Sequence, residues 1–94
     1  MKIEDWRRKI DAIDSKLLRL LNSRAELSLK VGRLKFKQGL SFRSPVRERE
    51  IIARMKRMNP GPFDGAAVAK IYKLIVAESI RMQELHCRAP RKSL

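Results

Sequence analysis

Arg24 interrupts an apolar stripe that is otherwise continuous: Ile3, Trp6, Ile10, Ile13, Leu17, Leu20, Arg24, Leu27, Val31 and Leu34 recur at alternating spacings of three and four. A guanidinium keeps its charge at any working pH, and burying it unpaired is costly. It therefore needs an anion, either a carboxylate on a packed helix (Glu26, Glu48, Glu78 or another acid) or a ligand. Six more polar residues stand at or beside expected core positions. Arg7 and Lys35 each follow a stripe residue, Trp6 and Leu34, by one position. Arg47 and Glu48 put a charge pair one turn before Ile51 and Ile52, and Ser79 and Gln83 continue a stripe through Tyr72 and Ile75 or Val76. Taken singly, each has an ordinary reading: Lys35 snorkels, Ser79 bonds back to its own helix, and Arg47 with Glu48 is a solvated pair. Taken together, they put polar groups on the inner face of every helix, as helix bundles do when they build a ligand site.

Three arginines, a lysine, a carboxylate, a hydroxyl and an amide make up this set. It holds no nucleophile–base pair, no glycine-rich phosphate loop and no metal-ligand set, so no metal is expected. Such a pocket suits a small dicarboxylate gripped by arginines. It would promote a reaction that needs orientation and charge stabilisation rather than covalent chemistry.

Three helices must position these groups. The first is expected from about Ile3 to Lys37, stopping at Gln38-Gly39, because glycine is favoured just past a helix end. Ser44-Pro45 reads as a cap followed by proline at the first helical position, opening a second helix to about Met58. Asn59-Pro60-Gly61-Pro62 breaks the chain. Asp64 then caps a third helix that ends near His86 or Cys87, with Val68, Ile71, Tyr72, Ile75, Val76 and Met82 on its buried side. The class is all-α, with one domain over residues 1–87 and a basic, frayed tail over 88–94 that includes Arg88, Arg91 and Lys92. The single Cys87 excludes an internal disulfide, and its neighbour His86 is read with it as incidental. No apolar leader or membrane span is evident, so a cytoplasmic location is the default expectation.

A first helix of about 35 residues would span about 50 Å, several times the roughly 13 Å radius of gyration of a compact domain of this size. Two shorter helices cannot cover such a rod. An intertwined, symmetric homodimer is therefore expected to bury the stripe. The net charge of +13 is concentrated between Lys30 and Arg57, where ten Lys or Arg face only Glu48 and Glu50. A field of that sign attracts anions.

The segments Trp6-Arg-Arg-Lys-Ile-Asp-Ala-Ile-Asp-Ser-Lys-Leu-Leu, Arg24-Ala-Glu-Leu, Val31-Gly-Arg-Leu-Lys35, Pro45-Val-Arg-Glu-Arg-Glu and Glu78-Ser-Ile-Arg-Met-Gln83 closely resemble the all-helical (type II) chorismate mutases. The resemblance runs from about Ile3 to Gln83, and its specificity lies in the ordered Arg, Arg, Lys, Arg-Glu, Ser and Gln across three helices. It implies a homodimer with two sites that rearranges chorismate to prephenate, in the route to phenylalanine and tyrosine, without a cofactor. By position, Arg7 would cross into the partner's site, while Arg24, Lys35, Arg47, Glu48, Ser79 and Gln83 would come from the other chain. Arg24 and Arg7 would clamp carboxylates with Ser79 assisting, and Arg47 would order the site. Lys35 and Gln83 would hydrogen-bond the ether oxygen, and Glu48 would accept from the ring hydroxyl. Some family members carry aspartate at the position of Ser44, which here reads as the helix cap.

Other readings stay open. An isochorismate pyruvate-lyase shares this fold and most of these residues, and a regulatory or partner-binding module would keep the fold without the reaction. A basic nucleic-acid binder would suit the charge, but no helix-turn-helix spacing is present. Neither nucleic acid nor membrane is expected as a partner.

Overall fold

A computed structural model describes residues 1–88. Three helices follow one another: α1 (Ile3–Lys37), α2 (Pro45–Met58) and α3 (Gly65–His86). The described residues contain no strand, in line with the all-α expectation, and the helix bounds fall where the sequence signals put them. Of the expected basic tail only Arg88 is described, its Nε donating to the Glu84 carbonyl at 3.2 Å. Arg91 and Lys92 lie outside the described residues.

Local chemistry sets the helix ends. The Lys2 backbone N–H donates to Asp5 Oδ2 at 2.9 Å, which satisfies an amide at the start of α1. Glu4 and Asp5 in the first turn, with Lys35 and Lys37 in the last, complement the helix dipole. At the far end Gly39 adopts φ +70°, and the Leu40 N–H turns back to the Lys35 carbonyl at 2.8 Å. That is a Schellman closure, which needs a residue at ease in the left-handed region. Ser44 Oγ accepts from the Arg47 N–H at 3.3 Å with Pro45 as the first residue of α2. Asp64 Oδ1 accepts from the Ala67 N–H at 2.8 Å to open α3.

The chain is a rod with two arms. Its principal extents are 60 × 33 × 14 Å and its radius of gyration is 17.0 Å, against about 13 Å for a compact chain of this length. Helix α3 is the middle layer and packs on both α1 and α2, which do not pack on each other. The contact between α1 and α3 uses a face of small residues rather than the apolar stripe. Gly32 is the buried residue of α1, and Leu21, Ala25, Ser28 and Leu29 beside it are half-buried. A Cβ placed on Gly32 would sit 2.7 Å from both Cys87 Sγ and Gln83 Cγ. Glycine is thus what lets the two helices close at this point. Cys87, expected to be incidental, is buried at this contact, with Sγ 3.3 Å from the Leu29 carbonyl.

The long stripe itself faces outward. Its nine apolar members are 48–68 % exposed within the chain. The buried apolar set is small: Ile51, Val68, Val76 and Cys87. Ile71, expected on the buried side of α3, is 41 % exposed in the chain. Covering nine half-exposed apolar side chains would contribute on the order of 10 kcal/mol per chain before entropic losses. No helix among the described residues is long and apolar enough to cross a membrane.

Candidate active site

A cleft of about 260 Å³ opens between the C-terminal half of α1, the loop after it, the first turns of α2 and the C-terminal half of α3. On α1 the spacing of 24, 28, 31 and 35 keeps Arg24, Ser28, Val31 and Lys35 on one face. The loop adds Phe42 and Ser44, and α2 adds Arg47, Glu48 and Ile51. Helix α3 adds Val76, Ser79, Ile80 and Gln83. Seven of the eight residues singled out in the sequence therefore line one cavity, although they lie up to 59 positions apart between Arg24 and Gln83. The exception is Arg7. It sits on α1 seventeen residues before Arg24, roughly 25 Å along the axis, and does not line this chain's cleft.

Arg24 has no carboxylate partner among the described residues, which removes the ion pair with Glu26, Glu48 or Glu78 as its explanation. Its Nη1 donates to Ser79 Oγ at 2.7 Å, and the Ser79 hydroxyl donates in turn to the Ile75 carbonyl at 3.0 Å. Ser79 thus bonds back to its own helix and also holds the guanidinium over the cleft. The remaining N–H groups of the fork are left for a ligand.

Gln83 is 5 % exposed. Its Nε2 donates to the Ser28 carbonyl at 2.8 Å and lies 3.1 Å from Ser28 Oγ. A carbonyl only accepts, so this bond settles which end of the amide is nitrogen. Oε1 is buried with no donor among the described residues. Lys35 Nζ donates to the Phe42 carbonyl at 2.9 Å, tying the end of α1 to the loop and keeping two further N–H groups.

The expected Arg47–Glu48 pair does not form. Both line the cleft, but Glu48 bonds Arg43 Nη2 at 3.3 Å, and Arg47 lies 3.9 Å from Glu50. Residues 47 and 48 are adjacent on a helix, so their side chains diverge by about 100° and do not face each other. Ser44 performs both expected tasks, capping α2 and lining the cleft. The wall thus carries Arg24, Lys35 and Arg47 against Glu48, leaving two positive charges unmatched. A dianion with two separated carboxylates complements that balance. The pocket favours fixed geometry and directed N–H donors over nucleophilic attack.

Four supporting residues escaped the sequence reading: Ser28, Gly32, Phe42 through its carbonyl, and Arg43. Ala25, Ser28 and Gly32 form a small-residue stripe at helical spacing, which is a usable signal for close helix approach. The roles of Phe42 and Arg43 carry no such signal, because they depend on where the loop folds.

Residues 6–84 match the family model described as chorismate mutase type II. The bifunctional chorismate mutase/prephenate dehydratase of Aquifex aeolicus is 36 % identical over 87 residues, covering 88 % of this chain and 24 % of that protein. The chain spans about a quarter of the length of such bifunctional relatives. The chorismate mutase of Methanocaldococcus jannaschii is 29 % identical over 84 residues, covering 88 % of this chain and 85 % of that one. Among solved structures, form II of the chorismate mutase from Thermus thermophilus superposes with a TM-score of 0.89 at 34 % identity, covering 92 % of this chain and 98 % of that chain.

Proposed function

The chain belongs to the type II chorismate mutase family, and from that premise we propose that it rearranges chorismate to prephenate in the cleft lined by Arg24, Lys35, Arg47, Glu48, Ser79 and Gln83. The observation that carries this reading is the convergence of cations on one cavity with Arg24 free of any carboxylate partner among the described residues.

The mechanism follows from the groups available. To react, the substrate must fold so that its enolpyruvyl carbon lies over the ring, a minor conformer in water. Clamping both carboxylates selects that conformer, which is a positioning effect. Arg24, held by Ser79, supplies one clamp. The second is Arg7 of the other protomer in a homodimer that covers the exposed stripe of α1. Arg47 orders the wall. As the ether bond breaks, negative charge gathers on its oxygen. Lys35 and the Gln83 amide, which exchanges its bond to Ser28 Oγ for one to the substrate, donate to that oxygen and bind the transition state more tightly than the ground state. Glu48 accepts from the ring hydroxyl, with Arg43 fixing its carboxylate. No cofactor enters this scheme.

The test is to follow loss of chorismate absorbance with purified protein and to identify the product by acid conversion to phenylpyruvate. Turnover that disappears in Arg24→Ala supports both the reaction and the site. Absence of turnover, with pyruvate released from isochorismate instead, would replace the mutase by the lyase.

A further inference from the structure

We propose a second anion-binding site, for a small dianion, in the cleft behind Glu48 that Arg43, Arg49 and Lys73 surround. This cavity of about 370 Å³ lies between α2 and α3, with Pro45, Ile52 and Val76 as its apolar lining. Arg49 and Lys73 come from different helices and have no carboxylate partner among the described residues. The one acid in the wall is Glu48, already bonded to Arg43. Three cations against one carboxylate leave two positive charges facing a concave surface with apolar walls. There the attraction for an anion is less screened than on an open face.

The two clefts share a wall, because Glu48 and Val76 line both. An anion in the second cleft competes with Glu48 for Arg43. Binding there loosens the carboxylate that faces the first cleft, so the Arg43–Glu48 pair couples the sites. The coupling works in both directions by linkage. The recognising chemistry is shared by phosphates and dicarboxylates, both of which present several oxygens to arginine forks.

The site itself does not depend on the proposed reaction, so it is tested by binding. Full-length protein labelled with nitrogen-15 is titrated with inorganic phosphate and, separately, with succinate, with ionic strength held constant by sodium chloride. Saturable shifts are expected at the backbone amides of Ile52, Lys73 and Glu48. Arg49→Gln combined with Lys73→Gln, checked for unchanged helicity, should weaken the binding about tenfold. A response to phosphate alone identifies a phosphate-type ligand, and a response to succinate alone a dicarboxylate; either supports the site. Saturable shifts centred on Ser28 and Ser79 that persist in the double variant would assign the anion to the first cleft and overturn the proposal. Shifts no larger than those from chloride would overturn it as well. Loss of the Glu48 response in Arg43→Gln, with Ile52 still responding, is the outcome expected of the coupling, whereas an undiminished Glu48 response would refute it.

Discussion

Arg24 Nη1 and Ser79 Oγ meet at 2.7 Å across 55 positions of sequence. The bond leaves the guanidinium fixed by a neutral hydroxyl instead of neutralised by an acid. A positive charge is thereby oriented and kept available. Arg24→Ala should lower kcat/KM by about 10³-fold or more, since a charge-assisted bidentate contact to a carboxylate is lost. Ser79→Ala should cost about tenfold, the worth of one orienting hydrogen bond. Arg24→Lys should not rescue, because an ammonium lacks the planar fork. Steady-state kinetics with chorismate checks the order; equal losses in Ser79→Ala and Arg24→Ala would contradict it.

Lys35 and Gln83 are both anchored on backbone carbonyls, of Phe42 and Ser28 respectively; Lys35 keeps two further N–H groups, whereas the second N–H of Gln83 rests on the Ser28 hydroxyl at 3.1 Å. Lys35→Ala should reduce kcat by about 10²–10³-fold while the protein stays folded. Gln83→Ala should do the same, with some added loss of stability because the side chain is buried. Ser28→Ala removes the hydroxyl but leaves the carbonyl, so it should change kcat by only a few-fold. A kcat within a few-fold of the parent in Lys35→Ala would remove that lysine from the mechanism.

Because an amide donates without carrying a titratable proton, the contribution of Gln83 does not vary with pH. Gln83→Glu replaces that donor by a group which donates only when protonated. Its activity should be low at neutral pH and recover in acid. The pH profile of kcat, compared with that of the parent, checks this; a variant profile parallel to the parent would argue against donation from position 83.

At Gly32 the contact between α1 and α3 leaves no room for a Cβ. Gly32→Ala places a methyl group against Cys87 Sγ and Gln83 Cγ, and overpacking of this kind costs about 1–3 kcal/mol. Because Gln83 is one of the two neighbours, kcat should fall together with the melting temperature. Adding Cys87→Ala relieves one of the two clashes and should recover part of the stability, but less of the activity. Thermal unfolding of the single and double variants, read alongside their kinetics, tests whether the two effects separate in that way.

The distance of Arg7 from its own chain's cleft yields a mixing experiment. On the proposed homodimer, the Arg7→Ala and Arg24→Ala proteins should each be nearly inactive. Mixing them with subunit exchange should regenerate activity, because one site of each heterodimer then combines an intact Arg24 with the other protomer's intact Arg7. Random exchange places about a quarter of all sites in that state. No recovery, with exchange verified by mass spectrometry, would show that Arg7 does not act across the dimer.

Three helices and nearly all of the cleft's inventory are legible in the chain's order of residues. Helix ends are local events: Gly39 in the left-handed region, Ser44 with Pro45, and Asp64 each act within a few residues of themselves. The outward stripe of α1 is legible for the same reason, since a period of 3.6 needs no knowledge of what covers it. Arg24 stands out because a charge among nine apolar positions violates that pattern. How these groups are held is a property of the packed molecule. That α1 turns its small-residue face to α3 and that Gln83 bonds Ser28 depend on interhelical distance and rotation, while Glu48 takes Arg43 rather than Arg47 because of where the loop before α2 folds. At Gly32 a Cβ would collide with Cys87 and Gln83, and that closeness exists only through the three-dimensional packing of distant segments.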